Sequence, residues 1–191
     1  MKTINYLLLI STFILANPFD KWVDKNKHII KEKVKTAIFQ ITIKTDLIGG
    51  GNKILDGKIV VGENKQFRFE MGPRTVVSDG MTWQSYDDRT DQIFIQEPDK
   101  NLEKALFSWV KVKKLKALPV KNKSDGSCKI NLFGKENDMR AYFNSNSNEL
   151  DSIIITQQDG LRSKISNIIL MKADTVILEI GTEHSTSFDL R

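Results

Sequence analysis

The apolar and polar positions of residues 20–35 repeat with the period of an α-helix. Lysine residues are frequent in this stretch, and the apolar residues recur on one face. The apolar positions are Trp22, Val23, Ile29, Ile30 and Val34. The pattern predicts an amphipathic helix that packs this face against the rest of the molecule.

From residue 36 onward the pattern changes to the alternation of β-strands. In the first run, Ala37, Phe39, Ile41 and Ile43 form a uniformly apolar face. Further runs follow, separated by Gly, Asn, Asp and Pro residues that favour turns. The predicted strands are residues 36–43, 58–61, 66–71, 75–77, 81–86, 92–96, 127–133, 139–144, 150–157, 161–170 and 175–180. This rhythm predicts an antiparallel, mainly β domain.

One segment within the predicted strands has helical spacing instead. Leu102, Ala105, Leu106 and Trp109 are spaced by three or four residues after Pro98-Asp99, a pair that can start a helix. The spacing predicts a short helix inserted between strands.

The N-terminal residues have the layout of a secretory signal peptide. Lys2 precedes an apolar run from Ile4 to Leu15, and Ala16-Asn17-Pro18 follows. The run is shorter than the roughly 20 residues of a membrane-spanning helix. We therefore expect residues 1–16 to be a cleavable signal peptide and residues 17–191 to be one periplasmic domain. No Cys follows the run for lipid attachment, so the mature protein is expected to be soluble.

Length and charge narrow the possible partners. The chain has 191 residues, which suits one domain, and a formal charge of +5 that is spread along it. The most basic run, residues 111–116, has no interleaved aromatic residues, so we expect no nucleic acid partner. A solvated strand or loop is the favoured interpretation of this run, and contact with anionic head groups or an acidic partner is the alternative. Cys128 is the only cysteine and is expected to be a buried apolar residue.

Patterns that carry catalysis or bind metal are missing from the sequence. His28, His184 and Cys128 do not have the spacing of zinc ligands. Asp87, Asp88 and Asp91 lack the Gly and the terminal Glu of a calcium loop. No Gly-x-Ser-x-Gly motif occurs. We expect no cofactor, no metal and no enzymatic activity.

Large apolar side chains are concentrated in the central third of the chain. Taken alone, they are core material. A single sheet of about ten strands has a whole apolar face to cover, however, and two short helices would leave it incompletely filled. Incomplete filling would create a ligand cavity. The residues concerned are Phe67, Phe69, Met71, Met81, Trp83, Tyr86, Ile93, Phe94, Ile95, Phe107 and Trp109.

Residues 57–93 resemble the central signature of LolA-type lipoprotein carriers. The matching residues are Gly57-Lys58-Ile59-Val60-Val61, Phe67-Arg68-Phe69-Glu70, Val76-Val77-Ser78-Asp79-Gly80, Trp83, Tyr86-Asp87 and Gln92-Ile93. In element order the likeness extends over most of the chain. It implies a mainly β fold with short helices, an unclosed antiparallel β-barrel, or half-barrel, of LolA/LolB type with a helical lid.

The resemblance also implies a function in the cell envelope. A periplasmic carrier of this type takes acylated lipoproteins from an inner-membrane ABC transporter of the Lol type to an outer-membrane receptor, and a monomer suffices. Burial of acyl chains, at about 0.8 kcal/mol per methylene, needs no covalent step. The lipid-binding residues expected on this basis are Phe39, Ile41, Ile59, Val61, Phe67, Phe69, Trp83, Tyr86, Ile93, Leu102, Leu106 and Trp109.

Two positions depart from the family pattern. The family has Arg-Pro before its Phe-x-aromatic strand, and this Arg ties the closed lid, whereas Glu63-Asn64 stand here. The family's strand Trp comes one residue later, at Gln84, so Trp83 is expected to face the opposite side. A second hypothesis therefore stays open, an envelope sensor or structural module that docks a protein partner with the same fold. A periplasmic hydrolase ranks last because no residue set supports it.

Overall fold

The computed structural model describes residues 18–44, 51–99, 103, 110, 116–119, 128–131, 138–144, 147–156, 162–180 and 186–191. Two short helices come first in this part of the chain, α1 (Pro18–Lys25) and α2 (Lys27–Ile30). The strands are β1 (Lys35–Lys44), β2 (Asn52–Val61), β3 (Phe67–Met71), β4 (Arg74–Ser78), β5 (Trp83–Asp87), β6 (Gln92–Gln96), β7 (Lys116–Pro119), β8 (Cys128–Asn131), β9 (Asp138–Phe143), β10 (Leu150–Thr156), β11 (Arg162–Lys172) and β12 (Thr186–Asp189).

The described strands form one sheet in the order β12-β6-β5-β4-β3-β2-β1-β11-β10-β9-β8-β7. Neighbouring strands are antiparallel, except that β12 lies parallel to β6. Because β12 and β7 lie at opposite ends of this order, the described sheet is open. The mainly β, unclosed antiparallel architecture expected from the sequence is confirmed.

The first helix is interrupted and shorter than the sequence predicts. Its apolar pattern extends over residues 20–35, but Asn26 forms a turn between α1 and α2, and α2 ends at Ile30. Asn26 remains tied to α1, since both its backbone N–H and its side-chain Nδ2 donate to the Trp22 carbonyl oxygen. The helical period therefore predicts the buried face correctly and the helix end wrongly.

Lys35 fixes the turn from α2 into the sheet. Its side chain is buried at 7% exposure, and Nζ donates to the carbonyl oxygens of Ile30 at 2.8 Å and Glu32 at 2.6 Å. The last carbonyl groups of a helix have no partners within the helix, and a cation there is also favoured by the helix dipole. The first residue of β1 thus stabilises the end of α2.

A β-bulge in β11 keeps apolar residues on one side of the sheet. The pairing with β1 shifts register around Asn167, which has a positive φ of 53° and donates from Nδ2 to Gln40 Oε1 at 2.7 Å. Without an extra residue, the alternation of strand side chains would place Ile165 and Leu170 on opposite faces. The bulge lets both pack against the same core.

β5 begins two residues later than the sequence predicts. Asp79 Oδ1 accepts the backbone N–H groups of Met81 at 2.7 Å and Thr82 at 2.8 Å, and Gly80 between them has a φ of +102°. This side-chain turn keeps Met81 out of the strand, where it is 79% exposed. The start of the strand predicted over residues 81–86 is therefore wrong, because turn chemistry overrides the alternation.

The predicted strand over residues 175–180 is also wrong. This segment pairs with none of the described strands, and we call residues 173–180 the C-terminal strap. Arg68 Nη1 donates to the carbonyl oxygens of Glu179 at 2.9 Å and Ile177 at 3.4 Å. Val176 lies so close to Gly62 that a Cβ atom there would be 2.8 Å from Val176 Cγ2. The Arg68 guanidinium group therefore donates to carbonyl groups that would accept hydrogen bonds from a neighbouring strand if this segment were part of the sheet.

Several predictions concern residues outside the described part of the chain. These are the signal peptide at residues 1–16 with its cleavage site, and the lid-helix residues Leu102, Leu106 and Trp109. At the edges of that lid segment, the Glu103 N–H donates to the Asp99 carbonyl oxygen at 2.9 Å, which is helical spacing. Neither α1 nor α2 has the length and apolarity needed to cross a membrane.

Candidate functional site

The ladder register assigns the strand residues to two faces of the sheet. Directly paired residues point to the same side, and neighbours along a strand alternate. One row, from β2 to β6, contains Ile59, Phe69, Val76, Ser85 and Phe94. The row on the other side contains Val60, Arg68, Val77, Gln84 and Ile95. We call the first side the inner face, because α1 packs on it, and the second the outer face.

The inner face is apolar along most of the sheet. Aromatic rings pack there across strands: Phe39 stacks on Phe69 with ring centroids 6.3 Å apart, and Phe67 meets Trp83 edge to face at 5.4 Å. The buried strand residues of this core are Ala37, Phe39, Ile41, Ile59, Val61, Phe67, Phe69, Trp83, Met139, Ala141, Phe143, Leu150, Ile153, Ile155 and Ile165. The arrangement offers a broad surface to an apolar ligand and little to a polar one.

The helices cover part of the inner face. Phe19 and Trp22 of α1 are buried, and the Phe19 ring lies edge to face with Phe143 of β9 at 6.5 Å. Ile30 of α2 and Val110 belong to the same core. A helical cover over the sheet is therefore present, and the part of it that the structure describes comes from the N-terminal helices.

The structure brings together seven of the twelve residues predicted to bind lipid. They are buried on the inner face within one cluster: Phe39, Ile41, Ile59, Val61, Phe67, Phe69 and Trp83. Trp83 requires a correction, because the shift of one residue relative to the family pattern predicted the opposite side. Its pairing with Ser78, which pairs with Phe67, places it on the inner face.

Tyr86 and Ile93 are not part of this cluster. They pair with each other on the outer face, next to Thr75 of β4. The inner-face residue of β6 is instead Phe94, whose ring stacks on Phe188 at 5.3 Å. An apolar run such as Ile93-Phe94-Ile95 carries no alternation, so the sequence alone could not separate its two faces.

Residues of the second half of the sheet were missed as site residues. Met139 and Ala141 of β9, together with Ile153 and Ile155 of β10, line the inner face as completely buried or nearly buried side chains. Their strands were predicted from alternation, but the family signature lies wholly in residues 57–93. Alternation could have nominated the two β9 residues, but the two β10 residues lie in an unbroken run of three isoleucines, so only the pairing of β10 with β9 and β11 decides their face.

Charged groups of the candidate site lie at the sheet margin. Arg89 donates to Asp87 Oδ1 from Nε at 2.8 Å, and Arg74 Nε lies 3.2 Å from Asp87 Oδ2. The hydrogen bond from the Arg89 side chain holds the pKa of Asp87 well below its usual range. Among the described residues, no three His, Cys, Asp or Glu side chains gather where they could hold a metal ion.

No family model and no curated protein matches the sequence. Several solved structures, in contrast, are similar to this chain in fold. An uncharacterized conserved protein from Thermus thermophilus is similar with a TM-score of 0.51 and 9% identity, over 90% of this chain and 98% of that chain. A LolA superfamily protein from Nitrosomonas europaea has a TM-score of 0.41 and 10% identity, over 81% of this chain and 93% of its own.

A third similar structure is a putative outer membrane lipoprotein-sorting protein domain from Vibrio parahaemolyticus. Its TM-score is 0.40 at 6% identity, with 81% of this chain and 93% of that chain covered. The solved structures similar to this chain thus include LolA-type proteins, at low identity. The likeness concerns the fold alone.

The outer face carries an exposed apolar patch of its own. Ile38 of β1 pairs directly with Ile169 of β11, and Met171 follows two residues along β11 on the same side. Their exposed fractions are 39%, 56% and 37%. Three adjoining aliphatic side chains open to solvent form a surface on which another molecule could pack.

Proposed function

We propose that this protein is an envelope carrier that binds the acyl chains of lipoproteins between its inner face and the helical cover, and that it performs no catalytic step. The observation that carries the proposal is the continuous apolar inner face, which extends from Trp83 in β5 to Met139 in β9. The LolA-like signature and the signal-peptide pattern support an extracytoplasmic site of action. Delivery from an inner-membrane ABC transporter to an outer-membrane receptor belongs to the same proposal.

Ligand entry in this proposal requires movement of the helical cover. The core side chains are closely packed, so acyl chains need space now filled by Phe19 and Trp22. Their helix, α1, has only two turns, contacts β9, and is separated from α2 by the Asn26 turn. Burial of an acyl chain contributes about 0.8 kcal/mol of binding free energy per methylene, and this gain offsets the loss of the aromatic contacts.

Native mass spectrometry of the protein purified from an envelope extract tests ligand binding directly. The mass is compared before and after organic extraction, and uptake of a fluorescent fatty acid is measured on the extracted protein. We expect an extractable acylated species and saturable uptake. Displacement of α1 should also change the fluorescence of Trp22, which lies against Phe19 with ring centroids 6.0 Å apart.

Val76 and Val77 provide a matched pair of variants. They are neighbours in β4, but Val76 packs against the inner-face core whereas Val77 points to the outer face. Val76→Thr places a hydroxyl group on the proposed acyl surface, and Val77→Thr makes the same change on the other side. We expect fatty-acid affinity to fall about fivefold or more in the first variant only. Equal affinities for both variants, or no uptake by the unmodified protein, would contradict the carrier.

A second candidate is an envelope module that docks a protein partner. The exposed patch of Ile38, Ile169 and Met171 favours it, as does an inner face closed by α1. In that case Ile169→Ser would abolish capture of an envelope protein, and neither the unmodified protein nor any variant would take up fatty acid. Capture that survives Ile169→Ser would remove the support for this candidate.

A further inference from the structure

β6 has the composition of a central strand, although only a short segment separates it from the sheet edge. Its residues Ile93, Phe94 and Ile95 place apolar side chains on both faces, and all three are half-buried. Strands at an edge normally carry charges, proline or a bulge, because an apolar edge invites pairing with another chain. β6 therefore needs a partner strand to cover its backbone groups.

In the structure this partner is β12. Its pairing with β6 is the single parallel ladder among the described strands, and it has only four residues, all of them exposed. The N–H of Thr186 donates to the Asp91 carbonyl oxygen at 3.2 Å, and the N–H of Leu190 donates to the Ile95 carbonyl oxygen at 2.8 Å. Phe188 adds one ring contact, the stack on Phe94. β12 thus forms hydrogen bonds with backbone groups at the β6 edge while burying little surface.

We infer that the β6 edge is a strand-acceptor site, and that β12 is its displaceable occupant. The partner that fits is an extended segment of another protein that runs parallel to β6. The described contacts define its chemistry: backbone N–H groups at the positions of Thr186 and Leu190, and an aromatic side chain at the position of Phe188 that stacks on Phe94. Backbone pairing supplies affinity in such complexes, and alternate side chains supply specificity. The inference does not depend on the proposed carrier function.

Exposure explains why β12 can leave. Phe188 is 39% and Leu190 is 62% exposed, so the segment loses little burial on release. The strap before it is held at Arg68, which donates two of its hydrogen bonds to the carbonyl groups of residues 177 and 179. Release of residues 186–191 therefore need not detach the strap.

A labelled peptide tests the acceptor site on the full-length protein. The probe is a fluorescein-labelled peptide with the sequence of residues 186–191, and its binding is measured by fluorescence anisotropy. Leu190→Pro in the protein removes the N–H that donates to Ile95 and weakens β12. We expect this variant to bind the probe about tenfold more tightly than the unmodified protein does, because its own segment competes less. Ser187→Ala, which keeps Phe188 and every backbone donor, should bind as the unmodified protein does.

A second peptide tests the binding mode. The same sequence with proline at the position of Leu190 lacks one backbone donor, and we expect it to bind the Leu190→Pro protein at least about tenfold more weakly than the probe. Equal binding of the two peptides, or equal binding by Leu190→Pro and unmodified protein, would overturn the inference. A concentration-dependent dimer that the probe dissociates would instead identify residues 186–191 of a second copy as the occupant. That result would overturn the assignment to another protein.

Discussion

Gly80 combines a positive φ angle, which glycine adopts without strain, with a close backbone neighbour. Its φ is +102°, and a Cβ atom at this position would overlap the Asn64 carbonyl oxygen. We expect Gly80→Ala to lower the free energy of unfolding by more than about 2 kcal/mol, since both the angle and the contact oppose a side chain. Urea denaturation measures the change. Gly51→Ala is the control, because nothing lies within 4 Å of a Cβ atom there. Equal stabilities of the two variants would refute this account of the turn.

Asp79, next to Gly80, contributes to stability through its carboxylate. Hydrogen bonds from the backbone amides of Thr82, and then of Met81, hold its pKa below the ordinary value of 3.8. Its contribution is therefore fully present above the unfolded-state pKa and is lost as pH falls through the lower folded-state pKa. The turn is exposed to solvent, so the effect on the free energy of unfolding is at most about 1 kcal/mol.

Thermal unfolding of Asp79→Ala as a function of pH measures this contribution. We expect the variant to melt at a lower temperature than the unmodified protein at neutral pH, with the difference shrinking below pH 3.8. Asp79→Asn keeps an acceptor oxygen without the charge, so its melting temperature should lie between the two. A difference between unmodified protein and Asp79→Ala that is the same at every pH would show that the charged form has no special role.

At the scale of elements, the junction of α2 and β1 depends on one buried cation. Lys35→Met keeps the aliphatic part of the side chain but leaves the carbonyl groups of Ile30 and Glu32 without its Nζ donor. We expect a loss of about 1–3 kcal/mol in the free energy of unfolding. Lys33→Met is the matched control, because the Lys33 side chain is 78% exposed and should change stability by less than about 0.5 kcal/mol. Similar losses in both variants would contradict a capping role for Lys35.

We expect the same junction to affect the helical cover. Because only residues 31–34 separate α2 from β1, loss of the Lys35 hydrogen bonds should free the angle between the helices and the sheet. If acyl chains enter beneath α1, Lys35→Met should take up a fluorescent fatty acid faster than Lys33→Met does. Stopped-flow fluorescence distinguishes the two rates, and an unchanged rate would mean that this junction does not limit entry.

At the scale of the whole molecule, stability should decrease from the centre of the sheet to the β12 end. β1 lies between β2 and β11 and pairs with both along its length, whereas among the described strands β12 pairs only with β6. Hydrogen exchange followed by mass spectrometry should therefore find the slowest amides in β1 and the fastest strand amides in β12. Protection of residues 186–189 equal to that of β1 would contradict both this gradient and a displaceable β12.

Local patterns in the sequence determined much of the architecture. The period-two alternation of residues 36–43 and 139–144 predicted β1 and β9, and the same alternation placed Phe39 with Ala37, Ile41 and Ile43 on one apolar face. The helical period predicted that Trp22 is buried. These features follow from side-chain direction within a single element, which needs no knowledge of its neighbours.

Tertiary structure decided the features that depend on residues far apart in the chain. The bulge at Asn167 exists only in the pairing of β1 with β11, and Arg68 reaches the strap more than 100 residues away. The faces of Ile93 and Phe94 follow from the ladder with β5, because their own run has no alternation. The parallel pairing of β12 with β6 has no local signal at all, since its hydrogen bonds join backbone groups that every residue other than proline carries.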